Sequence, residues 1–406
     1  MKTLFDCECR MTLVVMPEEL PYETFSITGE NQTMDNNPNI MQVRHDQLDA
    51  LVAIHLESKQ PMFLTGSPGS GKSAHLCSAV SKARVSWAEQ WYADRNLEYG
   101  GFDIVELRMA ERDAADVRGV PKTIEEVVDG ESVGWITTWC RPKDYPALDC
   151  RPTLLFVDEL MQSHQSVSVL IGRAFDQDNR QIGDYVLPDN VVVFGASNFH
   201  TDRAGANRMG TQTANRVFHY ELVVDAKQWC DEYAISADID RRIVGFIRTR
   251  PELVYQFDAK SSAPAFASLR MWENLSTMIK DISNDNIVML NMLACGAVGM
   301  GVGTEFTGFV RAYGKLPKIA DIIADPDKYD DPVEADMRYA VGGALAKYAD
   351  DDTIEACWTY MLKLPAEYQV LFVKDVQANL KNSGFDITQH PMYVEIISIH
   401  KEMLTQ

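Results

Sequence analysis

The run Gly66-Ser67-Pro68-Gly69-Ser70-Gly71-Lys72-Ser73 constrains this chain more than any other stretch. It matches the pattern G-x-x-x-x-G-K-[ST], whose glycines let backbone N–H groups turn inward around phosphate oxygens while the following helix presents its positive end. Such a loop works only between a strand and a helix. Met62-Phe-Leu-Thr65, opened by Pro61, predicts a buried strand, and Ser73 to Ala83 predicts a helix. Lys72 would then reach the β- and γ-phosphates of a nucleotide, and Ser73 would ligate magnesium.

Two further runs belong with this loop. Leu154-Leu-Phe-Val157 leads into Asp158-Glu159, two carboxylates at the end of a buried strand, where a parallel sheet delivers its ligand-contacting residues. Asp158 would hold the magnesium shell, and Glu159 would polarise the attacking water. Val191-Val-Val-Phe-Gly-Ala-Ser-Asn198 is a second such strand, and Asn198 could orient the same water; alone, it would read as a turn-forming asparagine. With Phe102 to Leu107 and Val217 to Leu222, strands alternate with helices, which implies an α/β fold with a mostly parallel sheet covered on both faces.

After about Asp225 helical spacing takes over, as in Ile239, Ile243, Phe246 and Ile247, then from Ser268 and from Ile287. The expected organisation is an N-terminal extension at 1–40, an α/β nucleotide-binding domain at 41–224, a helical lid at 225–300 and a helical C-terminal region at 301–406.

Composition narrows the function classes. The chain has 406 residues, 46% of them apolar, enough for more than one core, and a formal net charge of -21, which repels a polyphosphate backbone and disfavours nucleic acid. Eight cysteines are scattered without the dense spacing of a disulfide scaffold, and Cys7 and Cys9 form a lone C-x-C, so no structural metal is assigned. The N-terminus lacks a signal-peptide pattern and no apolar run is long enough for a membrane span, so a soluble, cytoplasmic protein is expected. No H-E-x-x-H or G-x-S-x-G string points to a second catalytic centre. Arg241, Arg242, Arg248 and Arg250 lack interleaved aromatics and read as a solvated or inter-subunit face rather than a nucleic-acid stripe. Trp135 and Trp139 read first as core packing, with an exposed partner-binding loop as the alternative.

Taken in order, these motifs resemble the AAA+ ATPases, specifically the MoxR branch with its phage-encoded and rubisco-activase-type relatives. The resemblance spans roughly residues 40 to 350. It implies a P-loop AAA+ parallel-sheet core with helices on both faces, a helical lid, ATP and Mg2+ as cofactors, and a site in which Asn198 is sensor 1. In Thr213-Ala-Asn-Arg216-Val-Phe-His, Arg216 is the implied finger that completes a neighbour's site, with Arg208 as the competing choice. In Ser268-Leu-Arg270-Met-Trp272-Glu273, Arg270 is the implied sensor 2; the wording departs from the commoner Pro-Arg-Ser-Trp. Asp116-Val-Arg118-Gly-Val-Pro121 and Asn179 to Pro188 also look like this branch. The latter reads independently as a β-hairpin with Gly183 at its turn region.

By resemblance, the chain forms a ring, a hexamer in this branch, that hydrolyses ATP to remodel or activate a protein partner, often one bearing a von Willebrand factor A domain. Phage-type relatives would place it in a host cytoplasm. A nucleic-acid motor or loader and a non-hydrolysing nucleotide-stabilised scaffold are the alternatives. The absence of an Asn-Lys-x-Asp string favours ATP over GTP.

Overall fold

Period-two alternation along the strands decides which side chains face which layer of this molecule, seen in a computed structural model that describes residues 40–202, 207–313 and 317–380, with Thr388, His390 and Tyr393. The chain divides into Met1–Asn39 and Ile40–Gln406. The expected N-terminal extension, with Cys7 and Cys9, lies outside the described residues apart from Ile40.

Ten strands are described: β1 (Met41–Val43), β2 (Met62–Thr65), β3 (Asp103–Arg108), β4 (Val120–Val128), β5 (Glu131–Cys140), β6 (Thr153–Asp158), β7 (Gln181–Ile182), β8 (Tyr185–Val186), β9 (Val191–Ser197) and β10 (Phe218–Leu222). Six form one parallel sheet in the order β1-β10-β2-β9-β6-β3. Leu154 and Phe156 of β6 turn to one face, where Leu64, Leu76, Val80 and Phe194 join them; Leu155 and Val157 turn to the other, against Phe63, Val167, Ile171 and Val193. Each fully buried side chain of this kind contributes roughly 1.5–3 kcal/mol. Gly195 allows the closest approach in the sheet, because a Cβ there would stand 2.5 Å from the Phe63 ring. The architecture is the expected α/β one: a parallel sheet with helices on both faces, followed by a helical region.

Beyond β10 the apolar residues form a helical core centred on Trp272, which is fully buried and donates its indole N–H to Leu253 O and Val254 O at 3.3 and 3.1 Å. Phe246 and Phe306 each stand 5.8 Å from its ring. This core draws on residues from Trp229 to Ala340, so the boundary expected near residue 300 falls inside it: Val302, Phe306 and Phe309 pack with the helices Arg241–Thr249 and Leu269–Ile279. A separate cluster, from Ile322 to Val376, holds the helices Ala335–Tyr348, Ile354–Met361 and Ala366–Leu380.

Two of the four arginines expected on a solvated face are buried. Arg242 pairs with Asp240 at 2.6 Å and donates to Ile279 O and Ile282 O. Arg248 makes a two-pronged bond to the fully buried Asp375 at 2.6 and 2.7 Å and a third to Asp231 at 2.9 Å. A helical segment with four arginines reads as surface in a sequence; here the neighbouring Asp240 holds Arg242, and the more distant Asp231 and Asp375 hold Arg248 away from water. The Arg248–Asp375 pair fastens the helix Ala366–Leu380 to the helix Arg241–Thr249. Asp375→Asn should lower unfolding stability by about 3 kcal/mol in urea titration, because it leaves the buried cation with Asp231 as its one carboxylate, and Arg248→Met/Asp375→Leu should recover much of that loss. A single-variant loss below about 1 kcal/mol would show that the pair is not the fastening.

Candidate functional site

The sheet's parallel sense brings the C-terminal ends of β2, β6 and β9 to one edge, and the eight-residue loop leaves β2 at that edge. Gly69 and Gly71 adopt φ of 78° and 87°, the left-handed region that a Cβ disfavours. The following helix, Lys72–Lys82, starts at the end of the loop. The stretch Gly66 to Gly71 thus runs from the end of β2 into a helix start whose first two residues are Lys72 and Ser73, a strand–loop–helix arrangement suited to phosphate.

Lys72 is buried and donates to Gly66 O at 2.6 Å, Ser67 O at 3.0 Å and Asn198 Oδ1 at 2.9 Å. Burial pushes its ammonium down to about 8, against the pull of Asp158 and Asp202. Ser73 donates its hydroxyl to Asp158 at 2.6 Å, and the other Asp158 oxygen accepts from the Glu159 amide at 2.8 Å. Glu159 itself sits at φ 57°, a strained setting for a residue with a Cβ and one that recurs where geometry serves chemistry. Thus Lys72, Ser73, Asp158, Glu159 and Asn198 come together.

Ser73 and Asp158 supply hard oxygen donors on one side of the loop, the donor set that magnesium prefers. Ser70 adds a fully buried hydroxyl without a hydrogen-bond partner, aimed into the same loop. These residues fit a Mg2+–nucleotide phosphate group. When bound, the ion would neutralise phosphate charge.

Arg270 is the second residue of the helix Leu269–Ile279, exposed and near enough to Lys72 to oppose its charge. Arg216 lies elsewhere. It precedes β10 at the end where Phe218 pairs with Met62, so the length of a strand, about 13 Å, separates it from its own loop. Its guanidinium donates to Gly172 O at 3.1 Å and pairs with Asp176 at 3.1 Å. Arg208 is exposed.

Sequence reading passed over four residues at the loop. The Tyr255 hydroxyl donates to Pro68 O at 2.7 Å, Ser268 packs so closely that a Cβ on Gly69 would come within 2.8 Å of it, and Asp202 lies close enough to Lys72 to attract its charge. His45 Nε2 stands 3.2 Å from Ser70 O. Asp202, four positions after Asn198, carried a proximity signal; Tyr255 and His45 carried none, since only tertiary packing brings them here.

The expected hairpin is present as β7 and β8, with Gly183 at φ 57°. Arg118 joins it to β5, pairing with Asp184 at 3.5 Å and lying 4.0 Å over the Trp139 ring. The ribbon of β4 and β5 was not expected. Trp135, read first as core, is 70% exposed on it. Nothing in the sequence spacing distinguishes a two-sided exposed ribbon from a buried one.

No protein-family profile matches the chain, and no curated protein matches it. Similar solved structures include NtrX from Brucella abortus in complex with ATP, at 12% identity over 89% of this chain and 67% of that one, TM-score 0.31. NtrX in complex with ADP is similar at 14% identity over the same shares, TM-score 0.29. Drosophila ORC bound to DNA is similar at 13% identity over 89% of this chain and 78% of that one, TM-score 0.25. At these scores the fold rests on the strand order and the loop described above.

Burial, and then the neighbouring His75, push the His45 imidazole down to about 4. Because this lies below the unfolded value near 6.5, the associated stability is fully present above pH 6.5 and is lost as pH falls through 4. Urea titrations from pH 7 to 4 should show the wild type losing up to roughly 3 kcal/mol more than His45→Gln. Parallel pH profiles would contradict this placement.

Proposed function

We propose that this chain is a magnesium-dependent ATPase of the AAA+ class, MoxR-like, whose subunits assemble into a ring and remodel or activate a protein partner. The observation that carries the reading is the joining of Ser73 to Asp158 and of Lys72 to Asn198 around one glycine-rich loop, with Arg216 held a strand's length away. The first two contacts are what triphosphate and metal require. The last leaves Arg216 better placed to act on another subunit's site than on its own.

In this reading Lys72 and the loop amides hold the β- and γ-phosphates, and Ser73 and Asp158 hold the magnesium shell. Glu159 takes a proton from the attacking water while Asn198 orients it. Arg270 from the lid and Arg216 from the neighbour counter the charge that builds on the γ-phosphate in the transition state. Hydrolysis then depends on assembly, because the finger acts only when the neighbour is docked. Within its own chain Arg216 is held by Asp176 at 3.1 Å.

The ribbon of β4 and β5 supports a protein partner. Val133, Trp135 and Val127 are 58%, 70% and 56% exposed on it, an apolar surface that a soluble protein keeps for contacts. Arg118 ties the ribbon to the hairpin of β7 and β8, which leads into β9 and Asn198. A partner pressing on the ribbon would thus act on the strand that carries the water-orienting residue. The acidity of the chain favours a protein partner over nucleic acid, and a partner with a von Willebrand factor A domain is the form the resemblance implies.

Steady-state ATP turnover should rise more than linearly with protein concentration as mass photometry shows assembly. Glu159→Gln and Arg216→Ala should each lower turnover by at least about a hundredfold while ATP still binds. Turnover by the monomer at the assembled rate, with Arg216→Ala silent, would rule out the shared site. Assembled protein that binds ATP without turnover would point to a scaffold instead.

A further inference from the structure

Glu159 follows β6 in a conformation that a residue with a Cβ keeps only where its surroundings hold it. The short turn after it, Leu160–Gln162, is closed by the Gln162 amide, which donates to Glu159 O at 3.0 Å. A single hydroxyl fastens this turn to the sheet. Ser197 Oγ, on the last residue of β9, accepts from the Met161 amide at 3.1 Å and donates to Gln162 Oε1 at 2.5 Å. Ser197 is 1% exposed, and the next residue is Asn198, whose side chain receives Lys72. The turn is also held from beyond Asn198: the Asn207 amide donates to Met161 O at 2.5 Å and the Asn207 side chain to Ser163 O at 3.2 Å. Asn198 therefore lies between two attachments to the segment that begins at Glu159.

The chemistry of these contacts argues for more than packing. A serine hydroxyl has one proton to give, and Ser197 gives it to Gln162 while a lone pair takes the Met161 N–H, so the orientation of both side chains is fixed. Fixing the amide this way leaves Gln162 Nε2 buried with no hydrogen-bond partner. An apolar side chain of similar length would avoid that cost, because a buried donor without a partner loses more than a net hydrogen bond returns. In hydrolysis, Glu159 and Asn198 must meet one water from the ends of two different strands, and an error in their separation lowers the rate steeply.

We propose that Gln162 and Ser197 are positioning residues for hydrolysis, a clamp that sets the Glu159 carboxylate and the Asn198 amide at the separation one water requires. The inference rests on the nucleotide reading of the loop and assigns a role to two residues outside it. Ser197 fixes the end of β9, and so Asn198; Gln162 fixes the turn, and so the backbone of Glu159. With the clamp broken, nucleotide binding survives, since Lys72 and Ser73 keep their own contacts with Gly66 O, Ser67 O and Asp158. What is lost is the register between the two groups that face the water.

The test is magnesium-dependent ATP turnover of the assembled full chain, beside calorimetric binding of a non-hydrolysable ATP analogue and urea titration. The proteins are wild type, Gln162→Met, Ser197→Ala and the double variant, each also made with Glu159→Gln. Gln162→Met should lower kcat at least about tenfold, with KM and analogue affinity within about twofold of wild type. The double variant should fall no further than Ser197→Ala alone, because both substitutions remove the same hydrogen bond. In the Glu159→Gln background Gln162→Met should change the residual turnover by less than about twofold, since the carboxylate it positions is gone. A merely structural residue would lower turnover there as well. Turnover of Gln162→Met within about twofold of wild type, or an equal loss in both backgrounds, overturns the clamp and leaves the nucleotide site standing. If Gln162→Met does not fold, Ser197→Ala is held to the same expectations, and failure of both to fold makes the pair structural and overturns the clamp. Wild type that binds the analogue but never turns over ATP overturns the clamp alone. Wild type that does not bind the analogue overturns the nucleotide reading, and the clamp with it.

Discussion

The structure turns on one buried ammonium. Lys72 leaves water at the first turn of its helix and can remain there only because two loop carbonyls and Asn198 receive its protons. Those three contacts fold the loop back over the strand that precedes it and fix the end of β9 beside it. Once they are fixed, Ser73 on the next residue meets Asp158 from β6, and the three central strands of the sheet share one edge. A charge held this way is poised to change partners, since a phosphate offers it a stronger acceptor than a carbonyl.

Much of this was legible in the sequence because it depends on short-range order. The loop lies between a four-residue apolar run and a helical pattern, and each of the strands β2, β3, β6, β9 and β10 appeared as an apolar run within a residue or two of its observed ends. Asp158, Glu159 and Asn198 were readable because a parallel sheet places the residues that end its strands at one edge. What was not legible depends on contacts across long separations. Arg248 finds Asp375 over a hundred positions later, so a helix that reads as solvated is internal. Tyr255 reaches Pro68 from the far side of the sheet domain in sequence, and no spacing rule encodes that meeting. The ribbon of β4 and β5 was missed for another reason: with both faces exposed, Trp135 and the valines around it follow no burial period.

The helical half of the molecule explains how a small change at the loop could have a large effect. Its core, around Trp272, continues past residue 300 to Phe306 and Phe309, and Arg248 fastens the last long helix to it. Helices that share one close-packed core in this way form one body rather than a set of independent helices. The loop touches that body at Pro68, Gly69 and Gly71. The site and the lid are thus in contact through the backbone that would hold phosphate.

The most direct test of the account is a crystal structure of the chain with magnesium and a non-hydrolysable ATP analogue. The account requires the Lys72 ammonium to leave Gly66 O and Ser67 O for the β- and γ-phosphates, and the Ser73 hydroxyl and the Asp158 carboxylate to face the metal. A nucleotide bound elsewhere, or Lys72 still on its loop carbonyls with the analogue present, would contradict it.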